Sequence, residues 1–217
     1  MPLLTNLSML LAGYLLGSIP SGWLAGRWLA GIDLRQEGSG STGATNVLRV
    51  VGKGPALAVF LVDVLKGALA VVLARAVLAP LGDATLPPFG WQTDAWVVGA
   101  GLAALAGHIW PVWLGWKGGK AVATGLGMLL GLAWPVGLAC LGIFLTMLAL
   151  SRFVSLSSVV AALALPALML GWFGTSGIRP AYLVLALLSS ALVLWRHRSN
   201  LQRLLAGTEP RLGEPRS

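Results

Sequence analysis

Residues 121–151 read AVATGLGMLLGLAWPVGLACLGIFLTMLALS, a stretch without a single charged side chain. A transmembrane helix needs about 20 apolar residues to cross the hydrocarbon core, so this stretch exceeds one ordinary crossing. Trp134-Pro135 interrupts it, and proline lacks a backbone donor and disfavours helix in the residue before it. The stretch therefore predicts either two short spans, 121–134 and 136–151, or one long tilted helix.

The rest of the chain has the same apolar character. Of its 217 residues 57% are hydrophobic and 10% are charged, and the mean hydropathy is +0.83. Soluble domains carry about 25% charged residues, so this composition indicates an integral membrane protein. The 29 glycines and the lack of alternating strand patterns favour packed helices over a β-barrel. We expect an all-α membrane protein with one embedded domain, residues 1–217, whose other spans are 3–25, 55–79, 95–114, 154–172 and 179–195.

Lys and Arg residues set the predicted orientation and decide the number of spans. Region 26–54 and the tail from residue 196 onward are basic, whereas 80–94 has no Lys or Arg and carries Asp83 and Asp94. The positive-inside rule places both basic regions in the cytoplasm and 80–94 outside. The two basic regions share one side only if the chain crosses seven times. We therefore predict seven transmembrane helices, an outside N-terminus, a cytoplasmic C-terminus and polar motif loops on the cytoplasmic face, with Arg179 as a minor exception.

Segments rich in Gly, hydroxyl residues, Asn, His and cations lie at the ends of the predicted spans: 35–49, 107–120 and 197–200. Groups that donate to anionic oxygens are costly near hydrocarbon unless a ligand or partner meets them. In the first segment, glycines permit turns that aim consecutive N–H groups at an anion, and Arg49 suits phosphate oxygens. A flexible polar loop is the alternative for this segment alone. No Walker A sequence or Rossmann pattern occurs.

The second segment ends in Lys117-Gly118-Gly119-Lys120 after an aromatic run. Trp and Lys also anchor ordinary helix ends at headgroups, but the paired glycines favour a bend that directs Lys117 toward a site. His108 and His197, the only histidines, suit phosphate contacts or proton exchange near neutral pH. Cys, His and carboxylate residues form no ligand set, so we expect no metal.

Two further sets are open to a structural or a functional interpretation. Asp63 and Lys66 share a helix face at i and i+3, where mutual pairing is the first interpretation and placement of Lys66 at the site is the second. In Ser155-Leu156-Ser157-Ser158, a helix cap competes with hydroxyl donors to a substrate.

Together these segments resemble the bacterial acyl-phosphate:glycerol-3-phosphate acyltransferase family (PlsY-type). The ordered matches are Gly17–Pro20, the Gly38–Arg49 loop, Asp63 with Lys66-Gly67, Gly107–Thr124, Ser155–Ser158 and His197–Glu209. They span nearly the whole chain, and their order and spacing are more specific than any single motif. The sequence departs from the family where Ser41 replaces a frequent Asn and Ala121 a common Gly. Both exchanges are small and concern loop geometry.

The resemblance implies a seven-span enzyme of the bacterial inner (plasma) membrane. Its cytoplasmic site would move a fatty acyl group from acyl phosphate to the 1-hydroxyl of glycerol 3-phosphate. The products would be lysophosphatidate and inorganic phosphate, in the first committed step toward membrane phospholipids. Family members need no metal or other cofactor, and no acyl-CoA or acyl carrier protein as direct donor. The implied partners are the two substrates and the lipid bilayer; nucleic acid is a poor fit, because the basic residues form no continuous face.

The expected site holds two neighbouring phosphate dianions through cationic and N–H donors and orients the hydroxyl near the carbonyl carbon. The candidate catalytic residues are Ser39, His108, Lys117 and His197. The candidate substrate-binding residues are Gly38, Gly40, Gly43, Thr45, Asn46, Arg49, Lys66, Gly118, Gly119, Lys120, Ser155, Ser158 and Asn200. We expect Ser39 to donate a hydrogen bond and a substrate phosphate or a histidine to take the hydroxyl proton.

The main alternative is a membrane transporter of phosphate or organophosphate anions, which would also place basic residues among helices. Transporters commonly show internal repeats and sites near the bilayer midplane, whereas here no convincing repeat is seen and the donors lie at one face. A membrane scaffold would leave the clustered glycines unexplained. The H-x4-D motif of other glycerolipid acyltransferases and the aspartate set of CDP-alcohol phosphotransferases are both missing.

Overall fold

The structure, a computed structural model, describes residues 2–81, 91–174 and 179–213. Over these ranges the chain is helical and has no β-strand. The helices are α1 (Pro2–Ser18), α2 (Ser21–Ala30), α3 (Ala44–Val50), α4 (Lys53–Leu78), α5 (Trp91–Ile109), α6 (Val122–Ser151), α7 (Val154–Phe173), α8 (Pro180–Arg196) and α9 (Arg198–Leu205). The all-α class predicted from composition is confirmed.

Several helices are long and apolar enough to cross a membrane. The stretches that meet this criterion are Leu3–Ala30, Lys53–Leu78, Gln92–Leu114, Val122–Ser151 and Val154–Phe173. The pair α8 and α9, bent by 56°, makes a sixth if it is counted as one span. This criterion counts α6 as one span, so it does not test whether α6 crosses twice. The seven predicted crossings therefore stay a prediction. Asp83, on which the orientation argument partly rests, lies outside the described residues.

The uncharged stretch 121–151 forms α6, and α6 is broken at Ala133, where φ is −148° and ψ is 76°. Pro135 follows the break closely. Proline removes a backbone donor and disfavours helical torsions in the residue before it, so a break next to Trp134-Pro135 is physically expected.

Beyond the break, the chain folds back on itself. A Cβ on Gly137 would lie 3.0 Å from the backbone nitrogen of Leu130. In a straight helix, seven residues of rise would separate these positions by about 10 Å. The fold-back explains why Val122 and Phe144, both on α6 but far apart in sequence, line one pocket.

Close packing between small residues holds the bundle together. A Cβ on Gly127 of α6 would overlap the carbonyl oxygen of Val64 on α4, so only glycine allows these backbones to approach so closely. Such small-residue contacts are the usual means of helix association in membranes, where lipid competes equally for apolar side chains. The buried core lies between α4, α5, α6, α7 and α8, with Val71, Ala100 and Met128 fully inaccessible to solvent.

The direction of the helices defines two ends of the bundle. α1 and α5 run parallel, because Cβ atoms on Gly13 and Gly17 would overlap the carbonyl oxygens of Ala100 and Ala104 in turn. α5 ends beside His108, and we call this end of the bundle the motif end. α8 also ends there, so the start of α1 and the tail that follows α8 lie at opposite ends.

At the end opposite the motif end, Arg75 of α4 meets the backbone exposed by the break in α6. Its guanidinium donates to the carbonyl oxygens of Gly131 and Leu132, each at 3.2 Å, and to the Tyr182 hydroxyl, also at 3.2 Å. A broken helix leaves its last carbonyls without partners, which is costly where water is scarce. Arg75 therefore stabilises the fold-back of α6.

Replacing Arg75 with Met should destabilise the protein, because it leaves these two carbonyl oxygens without their donor. The expected loss is about 1–3 kcal/mol. For a chain of this size such a loss lowers the unfolding midpoint by roughly 2–10 °C. Thermal unfolding of the detergent-solubilised protein measures it, with Lys53→Met, at an exposed position, as the control. An unchanged midpoint in Arg75→Met would contradict this role.

Candidate active site

A polar pocket of about 140 Å³ lies at the motif end, between α3 and the loop before it, the helices α4 to α7, and α9. It brings together segments that the sequence predicted to converge. The predicted site residues that line it are Ser39, Gly43, Thr45, Asn46, Arg49, His108, Lys120, Ser155, Ser158, His197 and Asn200.

The remaining predicted site residues lie outside the lining of this pocket. Lys117 has an exposed side chain on the turn after α5, so the bend at the glycines directs Lys120 into the pocket instead. Lys66 is buried below the pocket against Asp63. The other four have backbone roles in the surrounding loops: Gly38, Gly40, Gly118 and Gly119.

Asn46 organises the loop that precedes α3. Its side-chain amide nitrogen donates to the carbonyl oxygens of Leu34, Glu37 and Ser41 at 3.0–3.2 Å, and its Oδ1 accepts from the backbone N–H of Ser39 at 2.9 Å. Asn46 is 1% exposed, so these bonds replace water entirely. Its place in the pocket is therefore mainly that of a scaffold for the loop around Ser39.

The segment before α6 packs directly on the end of α5. The backbone N–H groups of Gly118 and Gly119 donate to the carbonyl oxygens of Ile109 and His108, each at 3.1 Å. A Cβ on Gly119 would overlap Nε2 of His108, so the paired glycines are needed for this contact. Lys120 follows immediately, and its position depends on that packing.

Ala121, which stands where the family commonly has glycine, has a backbone conformation that glycine favours. Its φ of 59° and ψ of 20° lie in the left-handed region. Glycine adopts this conformation freely, whereas for a residue with a Cβ the conformation costs about 1–2 kcal/mol of free energy. The exchange of a common glycine for alanine therefore keeps the loop geometry at a local conformational cost.

Lys120 belongs to a hydrogen-bonded chain of side chains. Its ammonium donates to Oδ1 of Asn200 at 2.5 Å, and Nδ2 of Asn200 donates to Oε1 of Glu209 at 2.7 Å. The same carboxylate accepts from the hydroxyl of Ser155 at 2.7 Å and from Nε of Arg203 at 2.8 Å. Glu209 thus fixes the orientation of Asn200 and Ser155, so that the segment after α9 completes the pocket wall.

Glu209 and Asp63 were not among the site residues predicted from the sequence, although both line the pocket. Glu209 lies within the His197–Glu209 match to the family, and that match was the available signal. The spacing of Glu209 from Asn200 could not reveal their contact, because the contact depends on the turn after α9.

The charges around Lys120 determine its protonation. Burial lowers the pKa of the Lys120 ammonium to about 8; the Glu209 carboxylate opposes this shift, and Arg203, Arg196 and Arg49 add to it. For Glu209, burial raises the pKa, but hydrogen bonds from Asn200, Ser155 and Arg203 outweigh it and lower the pKa. Cations thus surround a single buried carboxylate at this wall, which suits the binding of an anion.

The two histidines have different surroundings. Nδ1 of His197 lies 2.8 Å from the carbonyl oxygen of Val193, which can only accept, so Nδ1 carries the proton and the neutral ring keeps Nε2 as an acceptor. Nδ1 of His108 lies 3.2 Å from the Thr124 hydroxyl, and its Nε2 packs against Gly119. Of the two rings, His197 is the better placed to accept a proton in the pocket.

An apolar groove continues from the polar pocket. It has a volume of about 170 Å³ and lies between α6, α7 and α8. Phe60, Lys120, Phe144 and Ser158 line both spaces, so the pocket and the groove are contiguous. A ligand with a charged head and a hydrocarbon tail would fit this combination.

Glu209→Ala should loosen the segment after α9, because it leaves the buried amide of Asn200 and hydroxyl of Ser155 without an acceptor. Glu209→Gln keeps an acceptor oxygen and loses mainly the contact with Arg203. The alanine variant should therefore lower the unfolding midpoint more than the glutamine variant does. We expect the alanine variant to lose about 2–4 kcal/mol in the free energy of unfolding. Thermal unfolding and limited proteolysis of this segment measure the effect, with exposed Glu37→Ala as control. Equal behaviour of the alanine and glutamine variants would argue against the acceptor role.

Comparisons with known proteins give a consistent result. The family model described as glycerol-3-phosphate acyltransferase matches residues 7–207. Proteins of that name from Prochlorococcus marinus (strain MIT 9313) and Synechococcus sp. (strain CC9902) are 70% and 68% identical, with 96% and 98% of both chains covered. The crystal structure of PlsY (YgiH), an integral membrane glycerol 3-phosphate acyltransferase, in its glycerol 3-phosphate form matches with a TM-score of 0.82 at 36% identity over 96% of each chain. Its lysophosphatidic acid form gives a TM-score of 0.79 at 35% identity over 96% of this chain and 95% of that one. This chain is a multi-pass integral membrane protein that belongs to the glycerol-3-phosphate acyltransferase family.

Proposed function

We propose that this protein transfers a fatty acyl group from acyl phosphate to the 1-hydroxyl of glycerol 3-phosphate. The products are lysophosphatidate and inorganic phosphate, and the reaction serves phospholipid biosynthesis. The observation that carries the proposal is the continuity between a cation-rich polar pocket and an apolar groove. The related crystal structures, named for a glycerol 3-phosphate form and a lysophosphatidic acid form, agree with it.

In this reaction the 1-hydroxyl oxygen attacks the carbonyl carbon of the acyl phosphate. A new ester bond forms, the bond between the carbonyl carbon and the phosphate oxygen breaks, and inorganic phosphate leaves. The hydroxyl proton passes to a substrate phosphate or to Nε2 of His197, whose Nδ1–H is held by Val193. Because acyl phosphate is an activated anhydride, neither a metal nor a covalent enzyme intermediate is required.

The pocket residues hold the two phosphate groups and orient the reactants. Arg49 and Lys120 supply positive charge, and the hydroxyl groups of Ser39, Ser41 and Thr45 supply further donors. Two dianions repel each other, so cations between them favour the reactive arrangement. Positioning of this kind can lower a barrier by up to about 7–11 kcal/mol. Ser39 acts here as a donor and not as a nucleophile.

We place the protein in the bacterial inner (plasma) membrane as one membrane-embedded domain. The fold-back of α6 at Ala133 supports seven crossings, with the start of α1 outside and the motif end in the cytoplasm. The basic residues that follow α8 support this orientation. Labelling with a membrane-impermeant thiol reagent should show that cysteines introduced at Thr5 and Gln202 lie on opposite sides of the membrane.

The decisive experiment uses the purified protein in detergent with acyl phosphate and glycerol 3-phosphate, in the presence of chelator and without CoA. We expect stoichiometric lysophosphatidate and inorganic phosphate. The alternative, a transporter of phosphate or organophosphate anions, predicts uptake of labelled glycerol 3-phosphate into proteoliposomes without any lysophosphatidate. Absence of product from a folded preparation would refute the acyltransferase proposal.

Lys120 should impose a basic limit on the pH dependence of kcat/KM for glycerol 3-phosphate. With a pKa of about 8 its positive charge is present below that pH and is lost above it, so kcat/KM should fall as the pH rises through about 8. Lys120→Arg stays charged and should move this fall above about pH 10. A fall at the same pH in the arginine variant would exclude Lys120 as its source.

Truncation of the same side chain tests its contribution to binding. Lys120→Ala should lower kcat/KM by about 100-fold or more, because it removes a buried charge-assisted contact to phosphate. Lys53→Ala, at an exposed position outside the pocket, is the control. The loss should exceed that of Lys117→Ala, since only Lys120 lines the pocket. A larger loss of kcat/KM in Lys117→Ala than in Lys120→Ala would assign the phosphate contact to Lys117.

The groove should hold the acyl chain next to the carbonyl. Ala161→Phe places a large side chain among its lining residues and displaces several methylene groups, each worth about 0.8 kcal/mol. Turnover with palmitoyl phosphate should fall by about 10- to 100-fold, with a much smaller loss for butyryl phosphate. Ala167→Phe, on an exposed face of the same helix, is the matched control. Equal losses for both chain lengths would place the acyl chain elsewhere.

A further inference from the structure

A buried ionic cluster lies directly beneath the polar pocket. Oδ1 of Asp63 accepts from the hydroxyl of Ser21 at 2.6 Å and lies 2.8 Å from Nζ of Lys66. Lys66 also donates to the carbonyl oxygen of Ile19 at 3.0 Å. Asp63 and Lys66 are 2% and 3% exposed. The cluster thus connects the turn between α1 and α2 to α4.

The cluster extends to the ring of His108. Nδ1 of His108 lies 3.6 Å from Oδ1 of Asp63 and 3.2 Å from the hydroxyl of Thr124. The Thr124 hydroxyl lies within hydrogen-bond distance of this nitrogen, whereas the Asp63 carboxylate acts on it as a nearby negative charge. Asp63 also lines the floor of the pocket, although it belongs to none of the phosphate-binding segments.

The ring of His108 in turn supports the backbone that carries Lys120. Gly119 lies against Nε2 of His108 so closely that a Cβ would overlap it. On the other side, Arg196 donates to the carbonyl oxygen of Gly119 at 2.9 Å. Gly119 is therefore held between a ring and a guanidinium, and the next residue, Lys120, is directed at Asn200.

Stability alone does not account for the placement of this ion pair. Burying two charges costs several kcal/mol, and an apolar pair of similar volume often serves stability equally well or better. The chain has another ion pair, Asp94 with Arg179 at 3.4 Å, near the opposite end of the bundle. That pair lies far from the pocket, and its carboxylate is buried like that of Asp63, although the Arg179 side chain is 32% exposed; Asp94 therefore serves as a control for the loss of a carboxylate away from the pocket.

We propose that Asp63 is a positioning residue for acyl transfer: it sets the His108 ring, on which Gly119 rests, and thereby places the Lys120 ammonium in the pocket. Lys66 compensates the charge of Asp63 and ties the cluster to the end of α1. The inference rests on the proposed acyltransferase function, and it assigns to His108 a supporting role and not that of proton acceptor.

The test compares Asp63→Asn with the double variant Asp63→Asn/Lys66→Met and with Asp94→Asn in the full-length protein. Asp63→Asn should lower kcat about 10- to 100-fold, the loss expected from a displacement of about 1 Å. Its basic limit in the kcat/KM profile should move upward from about pH 8, because a displaced Lys120 regains solvent and a more ordinary pKa.

The double variant separates positioning from stability. It leaves no unpaired buried charge, so its unfolding midpoint should return toward that of the unmodified protein. Its kcat should stay low, since no carboxylate faces His108. Asp94→Asn should change neither kcat nor the basic limit, because Asp94 lies far from the pocket.

Three results would overturn the positioning role of Asp63. Recovery of both stability and kcat in the double variant would overturn the proposal, as would an unchanged kcat and pH profile in Asp63→Asn. A matching loss of kcat in Asp94→Asn would also overturn it, because the effect would then follow from general destabilisation. Failure of the proposed function itself is distinguishable, because the unmodified protein would then form no lysophosphatidate at all.

Discussion

Backbone groups inside a bilayer need partners within the protein, and this constraint governs how the chain can be broken. α6 breaks at Ala133 beside Pro135, and the guanidinium of Arg75 stabilises the fold-back because it meets the carbonyl groups that the break exposes. The fold-back returns the chain to the motif end, where α7 begins at Val154 and places Ser155 in the pocket wall. Without it, the two sides of the polar pocket would lie at opposite ends of the bundle.

The pocket is built on an imbalance of charge. Arg49 and Lys120 line it together with the carboxylates Asp63 and Glu209, and Arg196 and Arg203 add positive charge close to Lys120. Both carboxylates are engaged by hydrogen bonds from neighbouring side chains. An incoming phosphate therefore meets positive charge that internal pairs have not cancelled completely. The apolar groove beside it lowers the local dielectric, which strengthens these interactions relative to those in open water.

Much of this architecture could be predicted from the sequence. The uncharged run and the Trp134-Pro135 interruption predicted a helical membrane protein with a break in the run, and the ordered polar motifs predicted the family. Individual roles were harder to assign. Lys117 and Lys120 are equivalent in the sequence, and only the packing of Gly119 on His108 determines which lysine enters the pocket. Glu209 was missed because its contacts depend on a turn, and a turn has no periodic signal.

The wall formed by Glu209 has a consequence for biosynthesis. Glu209 follows α9, the last helix in the described part of the chain, yet it orients Asn200 and Ser155 in the pocket. A nascent chain that is still being inserted into the bilayer therefore lacks a finished reaction chamber. The pocket wall is complete only when α9 has formed and the segment that carries Glu209 has packed against Asn200 and Ser155.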